Sequence, residues 1–249
     1  MSRTPPRDFV APVQRFRIRY AKRGRLRFAS HRDFQRAFER ALRRAGVPMA
    51  YSAGFSPHPK ISYANAAPTG TASEAEYLEI GVAQACDPED LRARVDAALP
   101  PGLDLLEVVE VRTPDFVQRL EASRWRLELP GVSAEDARTA AEALLASPEA
   151  VVERLTKNGL RRFDVLPAIV ELSVRPSDGA ERPCAILQVV LRQATPAVRP
   201  DDVLAALRSV ALLIPVPPMV TREMQGPLVE SGNPGAWSLG DPLAADREA

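Results

Sequence analysis

Residues 14–21 read Gln14-Arg15-Phe16-Arg17-Ile18-Arg19-Tyr20-Ala21, an alternation of apolar and cationic side chains at a period of two. That period belongs to a half-buried strand, with Phe16, Ile18 and Tyr20 on the covered face and Arg15, Arg17 and Arg19 on the other. After a turn at Arg23-Gly24 the alternation resumes in Arg25-Leu26-Arg27-Phe28, which predicts further strand. Ser30-His31-Arg32-Asp33 then has the form of a helix N-cap with an acid at the third helical position, and Gly46 marks the helix end. Strands are predicted at Lys60–Ala64 and Glu76–Gly81. A second helix opens at Asp87-Pro88-Glu89-Asp90, where a capping acid precedes a proline in the first turn, and a last strand covers Leu103–Val111. The order is βαββαβ.

The same grammar returns after a junction near Thr113-Pro114. Arg124-Trp125-Arg126-Leu127-Glu128-Leu129 alternates like the first strand, Ser133-Ala134-Glu135-Asp136 caps a helix, and Pro200-Asp201-Asp202-Val203 opens another. Strands are predicted near Val151–Leu155, Ile169–Val174, Ala185–Leu191 and Pro218–Met224, so the second copy carries an extra hairpin. The pattern predicts an α+β protein of two tandem ferredoxin-like domains with antiparallel sheets, at 14–112 and 119–225. A basic arm is expected over residues 1–13. The Gly, Pro, Ser and Asp content of 226–249 predicts a disordered tail.

Charge is distributed unevenly along this frame. The first sixty residues hold fifteen Lys and Arg against Asp8, Asp33 and Glu39, net +12. The rest of the 249 residues holds 18 basic and 29 acidic residues, net −11. Genome composition explains why the basic residues are arginine but not why acids are missing from one end, so the polarity points to an anionic partner. On the first helix, Arg32, Arg36, Arg40 and Arg43 fall in one stripe with Arg44 at its margin, opposite Phe34, Phe38, Ala41 and Leu42. One helical turn, about 5.4 Å, is close to the spacing of successive phosphates in an extended strand. The expected nucleic-acid-binding set is Arg15, Arg17, Arg19, Arg25, Arg27, Arg32, Arg36, Arg40, Arg43, Arg44 and Lys60. No aromatic lies on the arginine face of the first strand, which favours reading of the RNA backbone over base stacking.

Two further features remain open. His31 lies in the first helical turn, where the dipole favours the neutral imidazole, and it is a weak candidate for general-base attack on RNA; capping and packing at the helix start is the favoured account of it. The loop from Tyr51 to Lys60 displays Tyr51, Phe55 and His58 between Gly54 and two prolines, a stiff arrangement that suits either recognition or a turn. No cofactor is expected: Cys86 and Cys184 with His31 and His58 are too few and too scattered for a metal or iron–sulfur cluster. The first residues lack a secretory apolar core and no run reaches the roughly twenty apolar residues of a membrane span, so a cytoplasmic protein without a membrane partner is expected.

The segments Leu26-Arg27-Phe28-Ala29-Ser30-His31-Arg32-Asp33, Glu39-Arg40-Ala41-Leu42-Arg43-Arg44-Ala45-Gly46, Gly54-Phe55-Ser56-Pro57-His58-Pro59-Lys60-Ile61 and Glu74-Ala75-Glu76-Tyr77-Leu78 together resemble the radical-SAM-linked family of unknown function. The match is ordered through the first domain and looser around Asp164 and the Pro200 helix. Many members carry leucine after the histidine; Arg32 stands there in this chain. The resemblance implies a partner of a cobalamin-type radical SAM enzyme, and it carries over no catalytic residue. The radical SAM three-cysteine motif is absent from this sequence, so such chemistry would belong to the partner. Tandem ferredoxin-like domains with a helix histidine are also similar in architecture to CRISPR RNA-processing endonucleases, whose Gly-rich loop has no counterpart in the second half. The sequence thus supports three readings: a non-catalytic RNA-binding accessory, a metal-independent ribonuclease using His31, and a protein-docking adaptor for a radical SAM enzyme.

Overall fold

The computed structural model describes residues 11–53, 55–156, 159–177, 182–211, 217–232 and 235–248. The expected basic arm therefore lies outside the described residues apart from 11–13, and so does Gly54. The chain divides into two compact units, Met1–Gln118 with Pro242–Ala249, and Arg119–Asp241. Both are α+β with antiparallel sheets.

In the first unit, β1 (Gln14–Lys22), α1 (His31–Arg44), β2 (Ile61–Ala64), β3 (Ala72–Val82), α2 (Pro88–Ala98) and β4 (Leu103–Glu110) follow one another. The sheet order is β4-β1-β3-β2, and every neighbouring pair is antiparallel. Phe16, Ile18 and Tyr20 of β1 pack in one buried cluster with Phe34, Phe38, Ala41 and Leu42 of α1 and Leu91 and Val95 of α2. Tyr20 stacks on Phe34 at 4.5 Å, and Phe34 stacks on Phe38 at 5.7 Å. Burying each of these large side chains contributes about 1.5–3 kcal/mol.

Local signals fix the helix ends. Ser30 Oγ accepts from the Asp33 N–H at 3.2 Å and donates to its carboxylate at 2.7 Å. At the other end Gly46 takes φ +63°, and the Val47 N–H reaches back to the Leu42 carbonyl at 3.0 Å, closing the helix in a Schellman turn. Asp87 caps α2 by accepting from the N–H groups of Glu89 and Asp90 at 3.0 and 2.9 Å.

The second unit repeats the plan. It runs β5 (Ala122–Pro130), α3 (Ala134–Ala146), the hairpin β6 (Val151–Thr156) and β7 (Gly159–Asp164), β8 (Ile169–Pro176), β9 (Cys184–Arg192), α4 (Pro200–Val210) and β10 (Met219–Gly226). The order β10-β5-β9-β8 is the counterpart of the first sheet, with the β6–β7 hairpin as a separate pair. Ser133 caps α3 through the Asp136 N–H at 3.0 Å. At α4 the chemistry differs: the Asp202 carboxylate accepts from the Arg199 N–H and from Arg154, both at 2.7 Å.

Three expectations are corrected. Gly24–Phe28 is a 3-10 turn and not a strand. Its backbone is tied to loops, with the Arg23 N–H on the Gly102 carbonyl and the Gly70 N–H on the Arg27 carbonyl, each at 2.8 Å, so no strand ladder forms. The segment from Gly226 onward, expected to be disordered, holds β11 (Leu228–Glu230), β12 (Trp237–Leu239) and α5 (Ala244–Glu248). A few apolar anchors suffice there: Leu239 packs with Ala122 and Val190, and Leu243 is fully buried. The boundary also differs, since Pro242–Ala249 returns to the first unit.

Because Phe38 is completely buried between α1 and the sheet, Phe38→Ala should destabilise the first unit by about 3–5 kcal/mol, and Ser30→Ala by about 1 kcal/mol. Urea unfolding monitored by circular dichroism measures both. Equal, small losses for the two variants would contradict this packing.

Candidate nucleic-acid interface

Anchoring α1 by Phe34, Phe38, Ala41 and Leu42 forces the opposite stripe outward. Arg32, Arg36, Arg40, Arg43 and Arg44 are all exposed. At 1.5 Å per residue the row from Arg32 to Arg44 is about 18 Å long. The two acids of the helix do not neutralise it: Asp33 is engaged by Ser30, and Glu39 is half-buried. Among the described residues Arg32, Arg36, Arg40 and Arg44 make no hydrogen bond or ion pair, and Arg43 donates only to the Glu39 carbonyl at 3.3 Å. Arg43 and Arg44 complement the negative end of the helix dipole. Arg32 sits at the positive end, where a cation costs the helix a few tenths of a kcal/mol or more, so stability does not explain it.

The strand arginines have other engagements. Arg15 is exposed and bonded to Glu79 at 3.1 Å. Arg19 Nε donates to the Glu74 carbonyl at 2.9 Å. Arg17, expected to line either an open sheet surface or a cleft against the second domain, is only 2% exposed. Its guanidinium donates to the Asp246 carboxylate and, at 2.6 Å, to the Thr113 carbonyl, and lies 4.9 Å from the centre of the Phe116 ring. The expectation that it is accessible is thus corrected: α5 and the 113–118 segment cover β1 at Arg17. Nothing in the local sequence announces this, because the partner acid lies 229 residues away.

Of the remaining candidates, Arg25 is exposed without a partner among the described residues, whereas Arg27 lies 4.7 Å over the ring of Phe28. Phe28 itself is 60% exposed. Lys60 is half-buried and lines a cavity of about 490 Å³ with Arg15, Ser62 and Glu79. The loop leading to it is closed on itself: the Ser52 N–H bonds the His58 carbonyl at 2.9 Å, and the His58 N–H bonds Ser52 Oγ at 3.0 Å. Tyr51 and His58 are exposed, and Phe55 is 68% exposed at its tip.

His31 is exposed, with Nε2 at 3.1 Å from the Gln35 side-chain nitrogen and its ring edge-on to Tyr63 at 4.9 Å. Among the described residues neither a carboxylate nor a second histidine contacts it. The Tyr63 hydroxyl is buried without a hydrogen bond; burial, and then Glu39, drive it well above the ordinary tyrosine range. The described residues contain no group of three or more His, Cys, Asp or Glu side chains able to hold a metal ion. Among them no helix is long and apolar enough to cross a membrane.

The chain matches, over residues 15–200, the family described as an uncharacterized protein conserved in bacteria (DUF2344), and it belongs to that family. No curated protein matches it. Among solved structures it is similar to DyPB from Rhodococcus jostii RHA1, crystal form 2, with 14% identity over 84% of this chain and 88% of that one. The TM-score is 0.22, too low for that likeness to bear on fold or chemistry.

Asp246 gives the interface region a measurable acid dependence. Burial pushes its carboxyl upward, but hydrogen bonds from Thr113, from the Arg112 and Thr113 backbone and from Arg17 outweigh this and hold it well below the usual carboxylate range. A carboxyl held down in the folded state stabilises the fold above its ordinary value of about 3.9, and that contribution is lost as pH falls through the depressed value. Asp246→Asn should therefore destabilise the protein by about 1.5–3 kcal/mol at neutral pH, because Arg17 loses its charge-assisted bond to this carboxylate and keeps Glu79, at 3.5 Å, as its carboxylate partner. It should also flatten the acid limb of the stability curve. Urea unfolding at a series of pH values checks this, and parallel curves for the two proteins would refute it.

Proposed function

We propose that this chain is a non-catalytic RNA-binding module that reads the phosphate backbone through the arginine face of α1. The observation that carries the reading is the row of exposed, carboxylate-free arginines over about 18 Å of one helix. Phosphate contacts made by guanidinium groups are bidentate and require no particular base, so a row of this kind positions a nucleic acid without reading its sequence. A protein-docking face would carry apolar or aromatic anchors at its centre. Here the centre of the stripe is Arg36 and Arg40, and the aromatics of α1 point into the core.

The burial of Arg17 and the engagement of Arg19 argue against a single strand laid across the sheet, as does the near-complete burial of Tyr77 and Phe116. The reading therefore rests on the convex helix face alone. In each unit the βαββαβ order and the equivalent strand arrangement support two tandem ferredoxin-like domains. The accessory role, with RNA presented to a radical SAM modifying enzyme, rests on the sequence resemblance. The alternative of a ribonuclease built on His31 is disfavoured by the contact of its Nε2 with Gln35 and by the lack of an orienting acid among the described residues.

Replacing Arg36, Arg40 and Arg43 together with Glu should abolish RNA retention at moderate salt while leaving the thermal midpoint within a few degrees of the native value. Single Arg→Ala changes should each reduce the slope of log K against log[salt] by about 0.7–0.9. Filter binding across a salt series measures this. Undiminished affinity in the triple variant would remove the helix face from RNA binding.

A further inference from the structure

A carboxylate buried among at least four donors marks an oxyanion site, and here the chain supplies the oxyanion. The Asp246 side chain is fully buried. It accepts from the Thr113 hydroxyl at 2.6 Å, from the N–H groups of Arg112 and Thr113 at 3.0 Å each, and from Arg17 Nη1. Two consecutive backbone N–H groups turned on one anion form a nest, which the guanidinium and the hydroxyl complete. All four groups donate, so the set suits a phosphate as well as a carboxylate.

The segment that brings Asp246 there is weakly self-supporting. α5 has five residues, far below the length at which a helix is stable alone. It is held through Asp246, the buried Leu243, and Arg247 bonded to Glu107. Beside the nest lies a cavity of about 400 Å³, whose wall includes Arg15, Arg17, Ser62, Thr113 and Gln118. That is the scale of a small-molecule pocket. Glu79 at the same wall is 3.1 Å from Arg15 and 3.5 Å from Arg17 Nε, and Asp115 lines the cavity as well, so the donors that remain for an anion are those turned on Asp246.

We propose that Arg17, Arg112 and Thr113 form a binding site for the phosphate group of a small phosphate ester, and that Asp246 fills this site from within the chain as a displaceable plug. The ester's organic part would occupy the adjoining cavity. The site shares no residue with the arginine row of α1, so it stands or falls apart from the RNA reading.

The test uses the full chain with Asp246→Ala and inorganic phosphate as the probe, with chloride at equal ionic strength as the control. The variant should bind phosphate saturably at one site by isothermal titration calorimetry, and its thermal midpoint should rise with phosphate, while the native protein, in which phosphate must first displace Asp246, shows the same effects at much higher phosphate concentration. Adding Thr113→Val, which removes one donor at nearly constant shape, should weaken that binding about tenfold. If Asp246→Ala does not fold in chloride, recovery of folding by phosphate alone is the same positive result. Failure of phosphate to bind, to stabilise or to restore the variant overturns the proposal, and so does binding indifferent to Thr113→Val.

Discussion

The burial of Phe16, Ile18 and Tyr20 against the aromatic side of α1 is the constraint on which the rest of the first unit depends. A helix has one rotation about its axis that places Phe34, Phe38, Ala41 and Leu42 on a sheet, and fixing it fixes every other side chain. With those residues in the core, Arg32, Arg36, Arg40 and Arg43 have no direction left but outward. Their exposure is thus a packing consequence, whereas their lack of acidic partners is not. An ordinary solvated helix intersperses opposite charges at i and i+4. Here Asp33 stands three residues before Arg36 and Glu39 four before Arg43, but among the described residues neither carboxylate pairs with them: Asp33 is engaged by Ser30, and Arg43 bonds the Glu39 carbonyl.

The unit treats its cations in two contrasting ways. Arg17 is taken out of water and bonded to Asp246, Thr113 and the face of Phe116, an arrangement whose loss would strand a buried charge. Arg15, Arg19 and Arg23 are likewise engaged, Arg23 with both Glu74 and Asp104. The α1 row is left to solvent. Sequence counting lumps these groups together as one basic end, although the first is already engaged by groups of the chain itself. The same contrast confines the functional reading to a helix face and leaves the sheet face to the chain's own C-terminal segment.

Much of this was legible in the sequence, because local chemistry decides it. The caps at Ser30, Asp87 and Ser133, the glycine stop at Gly46 and the period of β1 all act within a few residues of themselves, and the structure bears them out. Arg25-Leu26-Arg27-Phe28 misled because four residues satisfy an alternating pattern by chance as readily as by strand pairing. The tail misled for a different reason: its composition is that of a disordered segment, and its order comes from Leu239, Leu243 and Asp246 finding sites contributed by distant parts of the chain. Arg17 illustrates the general limit. Its alternation places it correctly on the face away from the core, but its burial depends on a carboxylate that no local pattern connects to it.

The central claim is that the basic face of this protein holds RNA. Purifying the native chain at low salt, eluting at high salt and sequencing whatever nucleic acid is released tests it most directly. The account predicts RNA that stays with the protein at low salt and leaves as salt rises, as counterion release requires. Protein free of nucleic acid, and with no affinity for added RNA at low salt, would contradict it.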